Sequence, residues 1–177
     1  MIKFIVSICI SSLLYGEDLG YLLFDENLTQ NKTLLFDNQK INLILDIKNK
    51  KYKKINSFIS EYEINFSLKD GNTPLFYAID LEDFKVVKMF LEHGADIYHL
   101  NDNLENALHI AVKKNNAKIV NYLLEEGIKI NEKDILGNTP LFYAQQNANN
   151  EIIELLNYYK KNKKEVVDSL EDFIKNF

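Results

Sequence analysis

Catalysis needs reactive groups held close together, and this sequence scatters them. Its three histidines stand at His93, His99 and His109. None of them belongs to a His-Glu-x-x-His zinc helix. His93 and His99 are near enough in sequence to suggest a metal or haem ligand pair, but Gly94 lies between them and a helix-ending turn there argues against convergence. Carboxylates are numerous, yet none is spaced to meet a partner it would need for acid–base work. There is no glycine-rich phosphate loop and no Gly-x-Ser-x-Gly elbow. These residue types point to no reaction, no cofactor and no bound metal, and so to a chain that is not an enzyme.

Charge narrows the field further. The formal net charge is −5, and all 21 basic side chains are lysine. A mildly acidic chain is a poor match for nucleic acids, which recruit basic faces, and without arginine it lacks the planar fork that grips phosphate or carboxylate. The only cysteine, Cys9, sits in an apolar run from Phe4 to Leu14 that follows Lys3 and precedes Gly16-Glu17-Asp18. A lipid-acceptor role for Cys9 is disfavoured by Ile8, where a small residue is expected. The run is too short to span a bilayer as a helix, which takes about 20 residues. Its order of charge, apolar stretch, small residue and acidic start is that of a secretory signal, expected over residues 1–16 with cleavage after Gly16. A retained anchor or core segment is the alternative. Loss of residues 1–16 removes one lysine, taking the charge from −5 to −6, and leaves no cysteine. Export to the periplasm follows as the expected location, with no membrane span after signal removal. The length suits one domain.

The elements come from a repeated phrase. Asp70-Gly71-Asn72-Thr73-Pro74-Leu75-Phe76-Tyr77-Ala78 returns as Leu136-Gly137-Asn138-Thr139-Pro140-Leu141-Phe142-Tyr143-Ala144, with a degraded copy from Asn103 to Ala111 midway. Leu75, Leu108 and Leu141 thus recur every 33 residues, a period of stacked units that bury apolar faces on one another. Turn residues precede Thr73, which is placed to cap the first helix, and Pro74, which suits a first helical position. A second helix in each unit carries paired apolar residues: Val86, Val87, Phe90 and Leu91, then Ile119, Val120, Leu123 and Leu124, then Ile152, Ile153 and Leu156. Gly94 and Gly127 end the first two of these. Tyr77 and Tyr143 recur with the period and read as packing residues.

This pattern resembles the ankyrin repeat. The Gly-x-Thr-Pro-Leu-x-x-Ala phrase, the paired apolar residues and the Gly-Ala-Asp-Ile ending at Gly94–Ile97 carry the resemblance over roughly residues 38–160. It implies an all-α solenoid with short β-turn fingers: a degenerate copy at 38–67, good copies at 68–100, 101–133 and 134–160, and a C-terminal capping helix at 161–177. Two departures matter. Leu104 replaces the turn glycine and Asn106-Ala107 replaces Thr-Pro, which suggests a softer or reshaped middle finger. Lys160 stands where a helix-ending glycine would fall, so the last helix runs on or ends differently. The resemblance also implies that His109, in the place of Phe76 and Phe142, bonds to neighbouring turns.

A family groove of finger tips and first-helix ends, carried over position by position, gives the candidate protein-binding residues. They are Lys69, Asp70, Asn72, Asp80 and Leu81 in the first good copy. In the second they are Asp102, Asn103, Glu105, Lys113 and Lys114, and in the third Lys133, Ile135, Leu136, Asn138, Gln146 and Asn147. Ile135 and Leu136 either anchor a partner or pack on the C-terminal helix. The expected function is a monomeric, non-catalytic module that binds an unidentified protein. A role beside a haem or metallo-enzyme such as catalase is the alternative, because some exported ankyrin proteins are associated with oxidative-stress defence. Residues 17–37 are expected to pack as an N-terminal cover, to pair as strands or to stay mobile. Asn27 and Asn65 lie in stretches that resemble an acidic glycosylation sequon or are plain asparagine-rich sequence.

Overall fold

The computed structural model describes residues 38–68 and 70–175, with side-chain surroundings as far as Asn162. The expected signal at 1–16, the segment 17–37 with Asn27, and Lys69 lie outside the described residues. So do the side chains of the expected C-terminal capping helix from residue 163 onward. By internal contacts the chain divides at Asn42, and the repeats fall in the unit Leu43–Phe177.

Helix α1 covers residues 38–48. It is followed by α2 (Tyr52–Glu61), α3 (Pro74–Asp80), α4 (Phe84–Glu92), α5 (Ala107–Lys113), α6 (Ala117–Glu125), α7 (Pro140–Gln146) and α8 (Asn150–Lys175). No strand occurs among the described residues. The helices stack in two layers. The first helices α3, α5 and α7 lie side by side, the second helices α2, α4, α6 and α8 form the other row, and each pair packs within its own copy. Ala78, Ala111 and Ala144 are fully buried between the first helices, where a larger side chain would hold the backbones apart. Leu75 and Leu108 are buried in equivalent places. Leu141 is half-buried and packs on the same core, because no described copy follows it.

One local device joins the two helices of each of the three good copies. Glu82, Asn115 and Ala148 take left-handed φ values of 56°, 59° and 51°, and the next residue caps the second helix. Asp83 accepts from Val86 N at 3.2 Å, Asn116 from Ile119 N at 3.1 Å, and Asn149 from Ile152 N at 3.1 Å. Each bond satisfies one of the free N–H groups at a helix start. The sequence reading did not single these caps out, although they share the 33-residue period. The far ends of α4 and α6 close on Gly94 and Gly127, both at φ 84°, with Ala95 N donating to Phe90 O at 2.9 Å and Ile128 N to Leu123 O at 3.2 Å. This is the left-handed helix stop that glycine favours. At Lys160 that stop is absent, and of the two expected outcomes the helix runs on.

Candidate functional site

Three turns precede the first helices, and they are copies of one another. Leu68 N donates to Asn72 O, Asn101 N to Glu105 O and Asp134 N to Asn138 O, at 3.0, 3.0 and 2.9 Å. Gly71, Leu104 and Gly137 occupy the same left-handed position, at φ 72°, 57° and 79°. The middle finger therefore keeps the shape of the other two and is not reshaped by Leu104. Asn101 explains why: its Oδ1 accepts from Asn103 N at 3.0 Å and Glu105 N at 2.9 Å. Asp134 does the same for Leu136 N at 3.0 Å and Asn138 N at 2.9 Å. A short polar side chain that takes up the turn's N–H groups holds the conformation without glycine, leaving Leu104 to bear the left-handed strain.

The fingers are tied to one another and to the helices behind them. Ile135 N donates to Asn103 O at 2.8 Å, and Asn101 Nδ2 donates to Asn72 Oδ1 at 3.0 Å. Asn101 also donates to Glu105 Oε2 at 3.0 Å. Glu105 is 6% exposed and forms a short ion pair with Lys113, whose ammonium lies 4.1 Å from the centre of the Tyr143 ring. Tyr143 in turn donates its hydroxyl to Asp134, and Tyr77 donates to Asp70 at 2.8 Å. The two tyrosines are thus latches between finger and helix as well as packing residues. Burial, the hydrogen bond to Asp70 and the charges of Asp70 and Asp80 push the Tyr77 hydroxyl up to about 12. Burial acts to raise the Glu105 carboxyl, but Asn101 and the Lys113 charge outweigh it and hold it below the usual range. Asp134 is likewise held low against its burial by Tyr143 and two backbone N–H groups.

All three histidines serve the scaffold. His109 is buried; its Nδ1 accepts from Asn106 N at 3.2 Å and its Nε2 meets Asn138 O at 3.2 Å. His99 Nε2 meets Gly71 O and His93 Nδ1 meets Met89 O, each at 2.8 Å. Among the described residues no group of three or more His, Cys, Asp or Glu side chains is placed to hold a metal ion.

A family model described as ankyrin repeats in three copies matches residues 43–134. The chain belongs to the ankyrin repeat family. Its repeats are a protein–protein interaction module, and members of this family are typically non-enzymatic. Among curated proteins it is 34% identical over 98 residues to the BRCA1-associated RING domain protein 1 of Caenorhabditis elegans, covering 55% of this chain and 14% of that one. It is 33% identical over 108 residues to the putative ankyrin repeat protein FPV034 of fowlpox virus, covering 60% of this chain and 25% of that one. To the interferon antagonist OPG039 of monkeypox virus it is 35% identical over 112 residues, covering 63% and 38%. The chain thus spans well under half of each of these relatives.

Within the ankyrin frame the candidate residues separate by what they already hold. Glu105 is turned inward and Lys113 is committed to it, so neither is a free contact. Asn72 and Asn138 are half-buried, the first accepting from Asn101 and the second donating to the Tyr143 oxygen at 3.3 Å. Asn147 donates to Val112 O at 3.0 Å. Lys114 pairs with Asp80 at 2.9 Å across the ends of α3 and α5. Asp70, Leu81, Asp102, Asn103, Lys133 and Gln146 are exposed. Ile135 and Leu136 are 64% and 76% exposed, and Leu104 in the neighbouring finger is 47% exposed. The pair therefore does not pack on the C-terminal helix within the described residues. Asn65 is exposed, but its amide donates to Gly94 O at 3.1 Å and accepts from Asp96 N at 2.8 Å. That pair of bonds gives it a structural role.

Proposed function

We propose that this protein is a monomeric ankyrin module exported to the periplasm, where it binds another protein through its finger tips and the adjoining ends of its first helices. The observation that carries the reading is the aliphatic trio Leu104, Ile135 and Leu136. Their counterparts in the other fingers are glycine, charged or amide residues, so the trio is no requirement of the turn. Ile135 N and Asn103 O join the two fingers that present it. Water-exposed aliphatic side chains on a braced turn gain more from covering than mobile ones do, because little conformational entropy is left to lose. Lys133, exposed beside them, supplies a charge at the rim.

Capture of partners from periplasmic extract by wild type and by an Ile135→Asp/Leu136→Asp variant tests the surface. Loss of a specific partner with an unchanged melting temperature is the expected result. Identical recovery from both overturns the assignment of the finger tips. Fractionation of cells expressing the full chain tests the location, and a cytoplasmic product of uncleaved mass overturns export.

A further inference from the structure

The far end of the array from the aliphatic trio carries a second surface, of opposite character. Lys48, Lys50, Lys51, Lys53 and Lys54 place five of the 21 lysines within seven residues, at the turn between α1 and α2. All five side chains are exposed. Lys51 pairs with Asp46 at 3.4 Å; the other four have no ionic partner among the described residues. Lys85 adds a sixth cation, 4.2 Å from the centre of the Tyr52 ring. Glu61, further along the same face of α2, is the acid nearest to Lys53 and Lys54 on that helix.

The concentration runs against local stability. The other second helices begin with an Asp or Asn cap, whereas α2 begins after Lys51, whose side chain caps nothing. Lys53 and Lys54 then stand in the first turn, where the helix dipole disfavours cations and like charges repel one another. The left-handed link before α2, Lys50 at φ 53°, matches that of the other copies, so the departure lies in the missing cap and the first-turn lysines. A local rule broken several times at one place, in a chain of net charge −5, marks a surface with an electrostatic task.

We propose that this lysine corner docks on anionic lipid bilayers. Lysines on long flexible stems provide mobile point charges suited to a diffuse negative potential. Recognition of individual carboxylates or phosphates would favour the arginine fork this chain lacks. Exposed Leu45 near the lysines offers apolar contact to the headgroup region, while Tyr52 is held by its hydroxyl donating to Asp83 at 3.1 Å.

The test uses the full chain sedimented with phosphatidylcholine vesicles, with and without phosphatidylglycerol. It compares wild type, Lys50→Gln/Lys53→Gln/Lys54→Gln, and a control of equal net charge, Lys129→Gln/Lys160→Gln/Lys161→Gln. Each lysine near such a surface contributes about a fivefold increase in affinity, so the corner variant should lose about a hundredfold of the phosphatidylglycerol-dependent binding. The control should retain most of it, and added salt should weaken the wild type. Equal loss in both variants, or no preference of the wild type for phosphatidylglycerol, overturns the proposal. Binding to soluble polyglutamate without any to vesicles also overturns it, in favour of an acidic protein.

Discussion

Replacing Lys113 by methionine should cost far more than the same change at its neighbour Lys114. The Glu105 carboxylate that Lys113 meets is almost completely out of water, and Lys113 is itself about two-thirds covered, its side chain 36% exposed. Removing one partner of a fully buried pair costs about 3–5 kcal/mol, because the other charge is stranded. Here the figure falls to about 2 kcal/mol, since water reaches the pair from one side and Asn101 still donates to Glu105. Loss of the cation over the Tyr143 ring adds about 0.5–1 kcal/mol. The sum lowers the melting temperature by about 5–10 °C for a domain of this size. The Lys114–Asp80 pair, with side chains 36% and 54% exposed, contributes at most about 1 kcal/mol. Urea unfolding of both variants gives the comparison. A Glu105→Gln/Lys113→Met double variant should recover part of the loss, because it removes the stranded charge. The single variant's deficit should also shrink on acidification, as Glu105 takes up a proton. If Lys113→Met costs no more than Lys114→Met, Glu105 is satisfied without the lysine and the tie between finger and helix in this copy is not real.

His109 should give the protein a stability slope below neutrality. Burial lowers its folded pKa from 6.5, so the unfolded chain binds the extra proton first. Its contribution is complete above that value and is lost as pH falls from it toward the folded pKa. Thermal melts between pH 7 and 5 should show a shallower decline for His109→Phe, the residue of the sister copies; an unchanged slope assigns it to other groups. Gly71→Ala should be worse than Gly137→Ala. A Cβ at Gly71 would lie 2.5 Å from Asp102 N, whereas one at Gly137 meets nothing within 4 Å. The second change costs about 1–2 kcal/mol for φ alone and the first should exceed it in denaturant unfolding; equal costs refute the clash. Asn116→Ala should lose about 1 kcal/mol with its cap. Thr73→Val should be neutral or stabilising, because the buried Thr73 hydroxyl has no hydrogen-bond partner. Equilibrium unfolding of the two variants would contradict the cap reading if their order were reversed.

The helices and their order were legible because periodicity and turn chemistry are local. Gly94 and Gly127 announce their helix ends, and the lysine at 160 announces the absence of one. The Leu104 turn was misjudged because the glycine was weighed and its substitute was not: Asn101 sits three residues earlier and supplies the stabilisation through its side chain. Glu105 shows a different limit of local pattern. Its counterparts Asn72 and Asn138 are half-buried, and nothing adjacent in sequence says that Glu105 is closed in. Asn101 closes on it through the turn, and Lys113 reaches it from the end of the same copy's first helix only once that helix has folded against the finger. Ile135 and Leu136 were visible as a pair, but their exposure depends on what the final helix covers.

The left-handed link and side-chain cap between the helices of the three good copies have a bearing on recognition. A connection this short, with its strained residue fixed and the next helix start clamped, leaves the two helices little freedom to swing. Shape adjustment is then confined to the joints between copies and to side-chain rotamers. A binding partner would meet a surface whose contour is set before contact, so discrimination would rest on fit to that contour and little on wrapping around the target.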